Sequence, residues 1–466
     1  MEKYLNTLKD IFMAGVERAD PYKMMLRHLS LEDSILKIRT GQENRNRFYT
    51  DINLSDFSKL HVIGTGKATA KMAKAIEDIM GDRITQGVIS VKYGHVEDLR
   101  QIRIIEAGHP VPDENSIKAA LEISELSRKS DEKTLVITLI SGGGSALMAY
   151  PFSTRFQAGY QGQEIILSFK DKQETTRVLL ECGAAINEIN CVRKHLSGIK
   201  GGRLAKMIFP AASLNFILSD VVGDRLDCIA SGPTTPDNST FHDMLEIINK
   251  YDISGKLPEN VKKILDSGLD RTVEDTPKQG DSAFKRVNNI LIGTNYQSLQ
   301  AAEKKAESLG FNTVILSSQV IGEAREAAKL LCGIAKDAGK RELLGKKPLC
   351  IIAGGETTVT LRGSGKGGRN QEMALSFLSE IENDPEGTQG IYFLSASTDG
   401  NDGPTDAAGA FASNEILDSA NTKNLSVNEY LKNNDSYNFF DKAGFLLKTG
   451  PTNTNVCDLQ LMLISK

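Results

Sequence analysis

Leu135-Val136-Ile137-Thr138-Leu139-Ile140, followed at once by Ser141-Gly142-Gly143-Gly144-Ser145, is the stretch on which the reading of the fold turns. A short apolar run that stops in glycines and hydroxyls reads as a strand ending in a loop. Outward from it the pattern recurs. From about Lys59, apolar runs at Leu60–Ile63, Gly87–Val91, Ile102–Ile105 and Leu214–Leu218 alternate with amphipathic stretches, as in a parallel sheet covered by helices. Several of these strands end in glycine or polar residues: Gly64-Thr65-Gly66-Lys67, Gly108-His109-Pro110, Ser141–Ser145 and Ser219-Asp220. In open α/β sheets ligands bind at such carboxyl ends.

The alternation pauses after Asp220. Ser231–Thr240 sets two prolines among small polar residues and is the candidate linker. Strands resume at Asn289–Ile292, Thr313–Leu316, Leu349–Ala353, Ile391–Leu394 and Leu459–Ile464. The expected fold class is therefore α/β: two three-layer α/β/α domains, residues 1–236 Rossmann-like with a mainly parallel sheet and residues 237–466 a second α/β domain. One very large sheet is the alternative, which a chain of 466 residues disfavours.

Lys and Arg total 56 against 60 for Asp and Glu, a net charge of −4, so no global basicity points to nucleic acid or to an anionic membrane. Any anion must be held locally. The six cysteines are scattered without a CxxC pair or zinc-ligand spacing, and read as reduced thiols of a cytoplasmic protein. Leu5, Leu8, Ile11, Phe12 and Val16 recur at helical spacing, so the N-terminal stretch reads as a packed helix and not as a signal peptide.

Gly363-Ser364-Gly365-Lys366-Gly367-Gly368-Arg369-Asn370 is the strongest candidate for a ligand loop. Its glycines permit left-handed turns and close backbone approach, and Met373, Ala374, Phe377 and Leu378 continue it as a helix whose first amides point back at the loop. Together with Lys366 and Arg369 this describes an anion site; a glycine-rich surface loop is the plainer reading. Asp399, Asp402 and Asp406 fall on a Gly/Pro loop that could ligate a hard cation, orient a hydroxyl, or be an ordinary acidic turn.

Gly64-Thr65-Gly66-Lys67-Ala68 fits neither familiar nucleotide fingerprint. His61 and Ala68 stand where a Walker A loop needs Gly and Ser/Thr, and Thr69 stands where a dinucleotide fingerprint needs Gly or Ala. What survives is Lys67 at the mouth of a sheet, suited to a phosphate or carboxylate, or else a tight turn with a solvated lysine. Ser141–Ser145 would wrap an anion in backbone amides or serve close helix–strand packing. Asn190–Arg203 carries five cationic positions and three glycines, Lys200 among them, and reads as an interrupted helix or a solvated face. His109 could be a base or be structural.

Taken together, VIGTGKAT, EAGHPVPDENS, LISGGGSALM, INEINCVRKHLSGIKGGRLA, LSDVVGD, ASGPTTPD, IIAGGETTVTLRGSGKGGRNQEMAL and STDGNDGPTDAAGA strongly resemble the type 2 glycerate kinases, also labelled hydroxypyruvate reductases. Residues 150–163 depart from the family, which has a short proline-containing turn there, and the difference bears on specificity. The resemblance implies ATP- and Mg²⁺-dependent phosphorylation of the secondary hydroxyl of D-glycerate, giving 2-phosphoglycerate, in an interdomain cleft. The alternative is NAD(P)H-dependent hydroxypyruvate reduction. Small molecules are the expected partners of a monomer or homodimer, with no nucleic acid and no membrane. Lys67 and Arg369 are the expected catalytic cations, whose removal should impair activity and leave the fold intact. Asp220 and Asp399 would serve as base or metal ligand. Gly64, Gly66, Ser141, Gly142, Gly143, Gly144, Ser145, Lys200, Gly365, Lys366, Gly367, Gly368 and Asn370 would hold nucleotide and substrate anions.

Overall fold

The computed structural model describes residues 1–40, 48–156 and 164–465. Part of the 150–163 departure, residues 157–163, lies outside the described residues. The chain forms two compact units, the first made of Met1–Met24, Ser219–Asp224 and Gly293–Lys466, the second of Met25–Leu218 and Arg225–Ile292.

The second unit is built on a six-stranded sheet in the order Ile102–Ala107, Gln86–Lys92, Lys59–Thr65, Thr134–Ile140, Ala212–Leu218, Val287–Gly293. The first five strands pair in parallel. Thr134–Ile140 is buried at every position, as a central strand covered on both faces must be. Thr65 pairs with Ile140, so Gly66-Lys67 and Ser141–Ser145 emerge side by side at the carboxyl ends of neighbouring strands. A three-stranded antiparallel sheet, Leu29–Glu32, Ile35–Thr40 and Phe48–Asn53, precedes it. Its short strands interleave apolar with charged residues and carry little strand signal in sequence.

In the first unit the sheet order is Asn312–Val320, Leu349–Gly355, Asp458–Ile464, Ile391–Ser397, Gly409–Ala412, Leu446–Leu447. Asn312–Val320 and Leu349–Gly355 run parallel, and every other pairing is antiparallel. The closing strand inserts between two earlier ones, setting Gly355 opposite Asp458 and Ser397 opposite the same Asp458. Three chain segments therefore converge at one sheet end.

The expected division at residues 236 and 237 differs from these units in three places, since Met1–Met24 and Ser219–Asp224 belong to the first unit and residues 237–292 to the second. Helix Glu2–Arg18 belongs with the first unit, burying Leu8, Ile11 and Phe12 completely, each worth roughly 1.5–3 kcal/mol of removal from water. Gly15 makes that docking possible, because a Cβ there would lie 2.7 Å from Leu459 Cδ2. Val287–Gly293 joins the sheet of the second unit, with Ser213 N donating to Arg286 O at 2.9 Å.

The stretch read as a linker is core. Ser231, Thr234 and Asp237 are buried, and their polar groups are matched. Thr234 Oγ1 donates to Asn289 Oδ1 at 2.9 Å, and Lys194 Nζ reaches Asp237 Oδ1 at 3.2 Å. Burial works to raise the Asp237 carboxyl, but the Lys194 charge and Ser239 outweigh it and hold it below its usual value. Small polar residues with prolines here mark a satisfied internal network, which composition does not distinguish from a linker. Among the described residues no helix is long and apolar enough to cross a membrane, and all six cysteines are free thiols.

Asp237→Ala should leave the Lys194 ammonium, 5% exposed, without its closest counter-charge. Stability should fall by about 3 kcal/mol. Urea unfolding would show this as a lower midpoint at unchanged slope.

Candidate active site

In the first unit, strand Leu349–Gly355 gives way to an irregular stretch that ends where helix Arg369–Asn383 begins, with Gly368 as its N-cap. Gly368 has no side chain to cap the helix, and Asp402 does so from another loop. Its carboxylate accepts from Asn370 N at 3.1 Å and Gln371 N at 2.8 Å. Burial pushes the Asp402 carboxyl up to about 6 even though these amides pull it down. Asn370 is itself fixed, accepting from Ser395 Oγ at 2.6 Å. The positive helix end that the sequence offers to a ligand is thus answered by the protein's own carboxylate.

The glycine loop is likewise tied down from within. Arg362 N and Gly363 N donate to Asn434 Oδ1 at 2.7 and 3.1 Å, Ser364 N to Asn433 Oδ1 at 3.1 Å, and Lys366 N to Asp435 Oδ1 at 2.8 Å. Gly363, Gly365, Gly367 and Gly368 are absent from the positive-φ positions, so the expected left-handed turns do not occur. What glycine supplies is room: a Cβ at these positions would strike Asn433, Asp435, Ser436 or Asp402. Lys366 Nζ lies 4.2 Å from the centroid of the Tyr437 ring. The loop's contribution is to place Arg369.

Arg369 is clamped. Its Nε and Nη2 donate to Asp458 Oδ2 and Oδ1 at 2.6 and 2.8 Å, and its Nη1 lies 3.0 Å from Glu356 Oε1. Burial pulls the guanidinium down, and the Asp458 and Glu356 charges outweigh it, holding it above its usual value. Asp458 is fully buried while Arg369 keeps 26% of its side chain exposed. A guanidinium carries five N–H donors. Three are engaged by these carboxylates, which leaves an exposed edge for an outside acceptor.

Further carboxylates surround the clamp. Desolvation and the Asp458, Asp220 and Asp399 carboxylates raise Glu356 to about 7 against the pull of Arg369, while 43% exposure lets water screen part of the effect. Asp399 is oriented by Ser397 Oγ at 2.9 Å and Asn401 N at 3.0 Å. Cys457 Sγ donates to Asp220 O at 3.3 Å, and burial with the neighbouring carboxylates pushes that thiol well up, away from reactivity. No three His, Cys, Asp or Glu side chains form a metal cage among the described residues. Mg²⁺ needs none, since one or two carboxylates plus substrate phosphates suffice. The hard carboxylate oxygens of Glu356, Asp220 and Asp399 suit such an ion.

The second unit holds the other expected residues. A Cβ on Gly64 would lie 2.6 Å from Leu139 O, and Gly66, at φ +138°, is pressed against Ser141. Ser141 Oγ accepts from Ala68 N at 3.0 Å and lies 3.2 Å from Thr69 Oγ1, so it occupies the start of helix Thr69–Met80. Lys67 N donates to Gly142 O at 2.9 Å. Gly143, at φ +81°, lies beneath His109 and the Lys67 stem, 2.9 and 3.4 Å from where its Cβ would be, and Gly144 packs on Thr65. Lys200 Nζ donates to Ser145 O and Oγ at 2.7 and 2.6 Å.

The structure thus gathers Lys67, the Ser141–Ser145 loop and Lys200 in one unit, and Arg369, Asn370, Asp220 and Asp399 in the other. Sequence reading passed over Glu356, Asp402 as a cap, and Asp458. Glu356 directly follows Gly354-Gly355 at a strand end, the same signal that drew attention to Lys67.

Two family descriptions match the chain, a domain of unknown function (DUF4147) over residues 7–266 and the MOFRL family over residues 349–458. A D-glycerate 2-kinase of Thermotoga maritima is 42% identical over 415 residues, covering 88% of this chain and 91% of that protein. A glycerate 2-kinase of Pyrococcus horikoshii is 40% identical over 452 residues, covering 97% and 95%. The crystal structure of a glycerate kinase from Thermotoga maritima superposes with a TM-score of 0.82 at 38% identity, covering 100% of both chains.

Arg369→Ala should leave Asp458 buried without its cation. Loss of about 3 kcal/mol is expected in chemical denaturation, a cost the sequence alone did not announce.

Proposed function

The chain belongs to the glycerate kinase family, and we propose that it transfers the γ-phosphoryl group of ATP to the secondary hydroxyl of D-glycerate and releases ADP and 2-phosphoglycerate. The observation that carries this reading is the clamped Arg369, with an exposed N–H edge beside a cluster of carboxylates.

Phosphoryl transfer requires chiefly positioning and charge neutralisation. Arg369 presents its outer edge to the glycerate carboxylate, and the buried Asp458 fixes the plane of the guanidinium so that this contact carries orientation. Either Asp220 or Asp399 accepts the hydroxyl proton as the alkoxide oxygen attacks phosphorus and the bond to ADP breaks. The carboxylates not serving as base, Glu356 among them, would hold Mg²⁺. When bound, the ion neutralises phosphate charge. Lys67 stabilises the negative charge that develops on the phosphoryl oxygens.

A coupled assay with the full chain tests the proposal. ADP release that requires both ATP and D-glycerate is expected, whereas NADH oxidation with hydroxypyruvate and no ADP release would overturn it. Lys67→Ala should lower kcat by about 10²-fold or more, in keeping with loss of a transition-state charge partner, and leave thermal unfolding unchanged.

A further inference from the structure

Three cations of the second unit lie apart from Lys67: Lys172 on helix Phe169–Glu181, Arg193 on helix Ile186–His195, and Lys200. All three line one cavity of about 470 Å³, into which Ser145 also opens. Among the described residues none of the three pairs with a carboxylate. Glu181, which also lines the cavity, is taken by Arg177 Nη1 at 2.6 Å. Lys200 is 2% exposed, and among the described residues its ammonium has only Ser145 oxygens as partners. Burial and the Arg193 charge bring Lys172 down to about 7, and burial with both other cations holds Lys200 well below its usual value. Like charges crowded in a concave site without counter-ions are costly to fold and mark a place for an outside anion.

Val111, Ala149 and Phe169 give the lining an apolar component. A cavity of this volume is in the range of organic-ligand sites and is too large for one three-carbon acid or a lone phosphate to fill. Three cations that act on one another call for several negative charges close together. The cavity also borders the Ser141–Ser145 loop, on which the Lys67 stem rests through Gly143.

We propose that this cavity seats the phosphoryl donor, a nucleoside triphosphate, with Lys172, Arg193 and Lys200 on its polyphosphate and the apolar lining residues against its base. This rests on the kinase reading above. Lys172 and Arg193 neutralise phosphate oxygens, and Ser145, held by Lys200, fixes the loop beneath them.

Steady-state kinetics and calorimetric titration of the full chain with ATP test it, with inorganic tripolyphosphate and adenosine as separate titrants. Lys172→Gln and Arg193→Gln should each raise the KM and Kd for ATP by about tenfold, the loss of one charge-assisted contact, and leave the KM for glycerate unchanged. Gln173→Glu changes an exposed wall residue, so folding is not at stake, and it should weaken ATP and tripolyphosphate binding alike. Adenosine should bind Gln173→Glu as it binds the wild type. ATP constants unchanged in all three variants, or glycerate and ATP constants worsened in equal measure, would overturn the assignment. A wild-type chain that phosphorylates glycerate while the variants leave ATP binding untouched defeats only the cavity. Failure of the wild type to use ATP with glycerate, with tripolyphosphate still bound in the cavity, defeats the kinase reading instead.

Discussion

A single buried ion pair, Asp458 against Arg369, organises the first unit. Asp458 opens the closing strand, which lies between the strands ending at Gly355 and Ser397, so one carboxylate stands where three segments meet. It is fully buried, and such a charge is tolerable only with a cation beside it in good geometry. The glycine loop satisfies that demand. By packing closely on Asn433–Ser436, it delivers the first residue of a helix to the sheet end. Arg369 then serves two purposes with different edges of one group, anchoring the strand through Nε and Nη2 and keeping other N–H donors outward.

The same geometry accounts for the acidity of the site. Asp402 fills the helix amides, Asp458 fills one edge of the guanidinium, and Asp220 and Asp399 add their carboxylate charges to the surroundings of Glu356. Carboxylate oxygens of this kind can take a divalent cation, and a guanidinium beside them can take a carboxylate. The second unit has the reverse character. Its Lys172, Arg193 and Lys200 are crowded without carboxylate partners among the described residues, and this favours a polyanion.

Much of this was legible in sequence wherever the signal was local. The strand Leu135–Ile140 and its glycine terminus announce a central parallel strand, and the structure has one there. Lys67 and Arg369 stand at element boundaries that periodicity alone can find. What stayed hidden depends on distant partners. Nothing near Asp458 says that it will be buried against a residue 89 positions earlier. The loop glycines read as a sign of turns, yet their cause is the backbone of Asn433, which no local pattern reveals. Ser231–Thr240 has the composition of a linker because composition cannot show that Asp237 will meet Lys194. The antiparallel insertion of the last strand is a matter of topology, and hydrophobic periodicity is blind to order within a sheet.

The central claim is that a guanidinium fixed by Asp458 orients glycerate so that its secondary hydroxyl is phosphorylated. Proton-coupled ³¹P NMR of the product formed from ATP, Mg²⁺ and D-glycerate tests it most directly. An ester at the secondary carbon has a single proton on that carbon, so the account predicts a doublet. A triplet, from an ester on the primary carbon with its two protons, would contradict it.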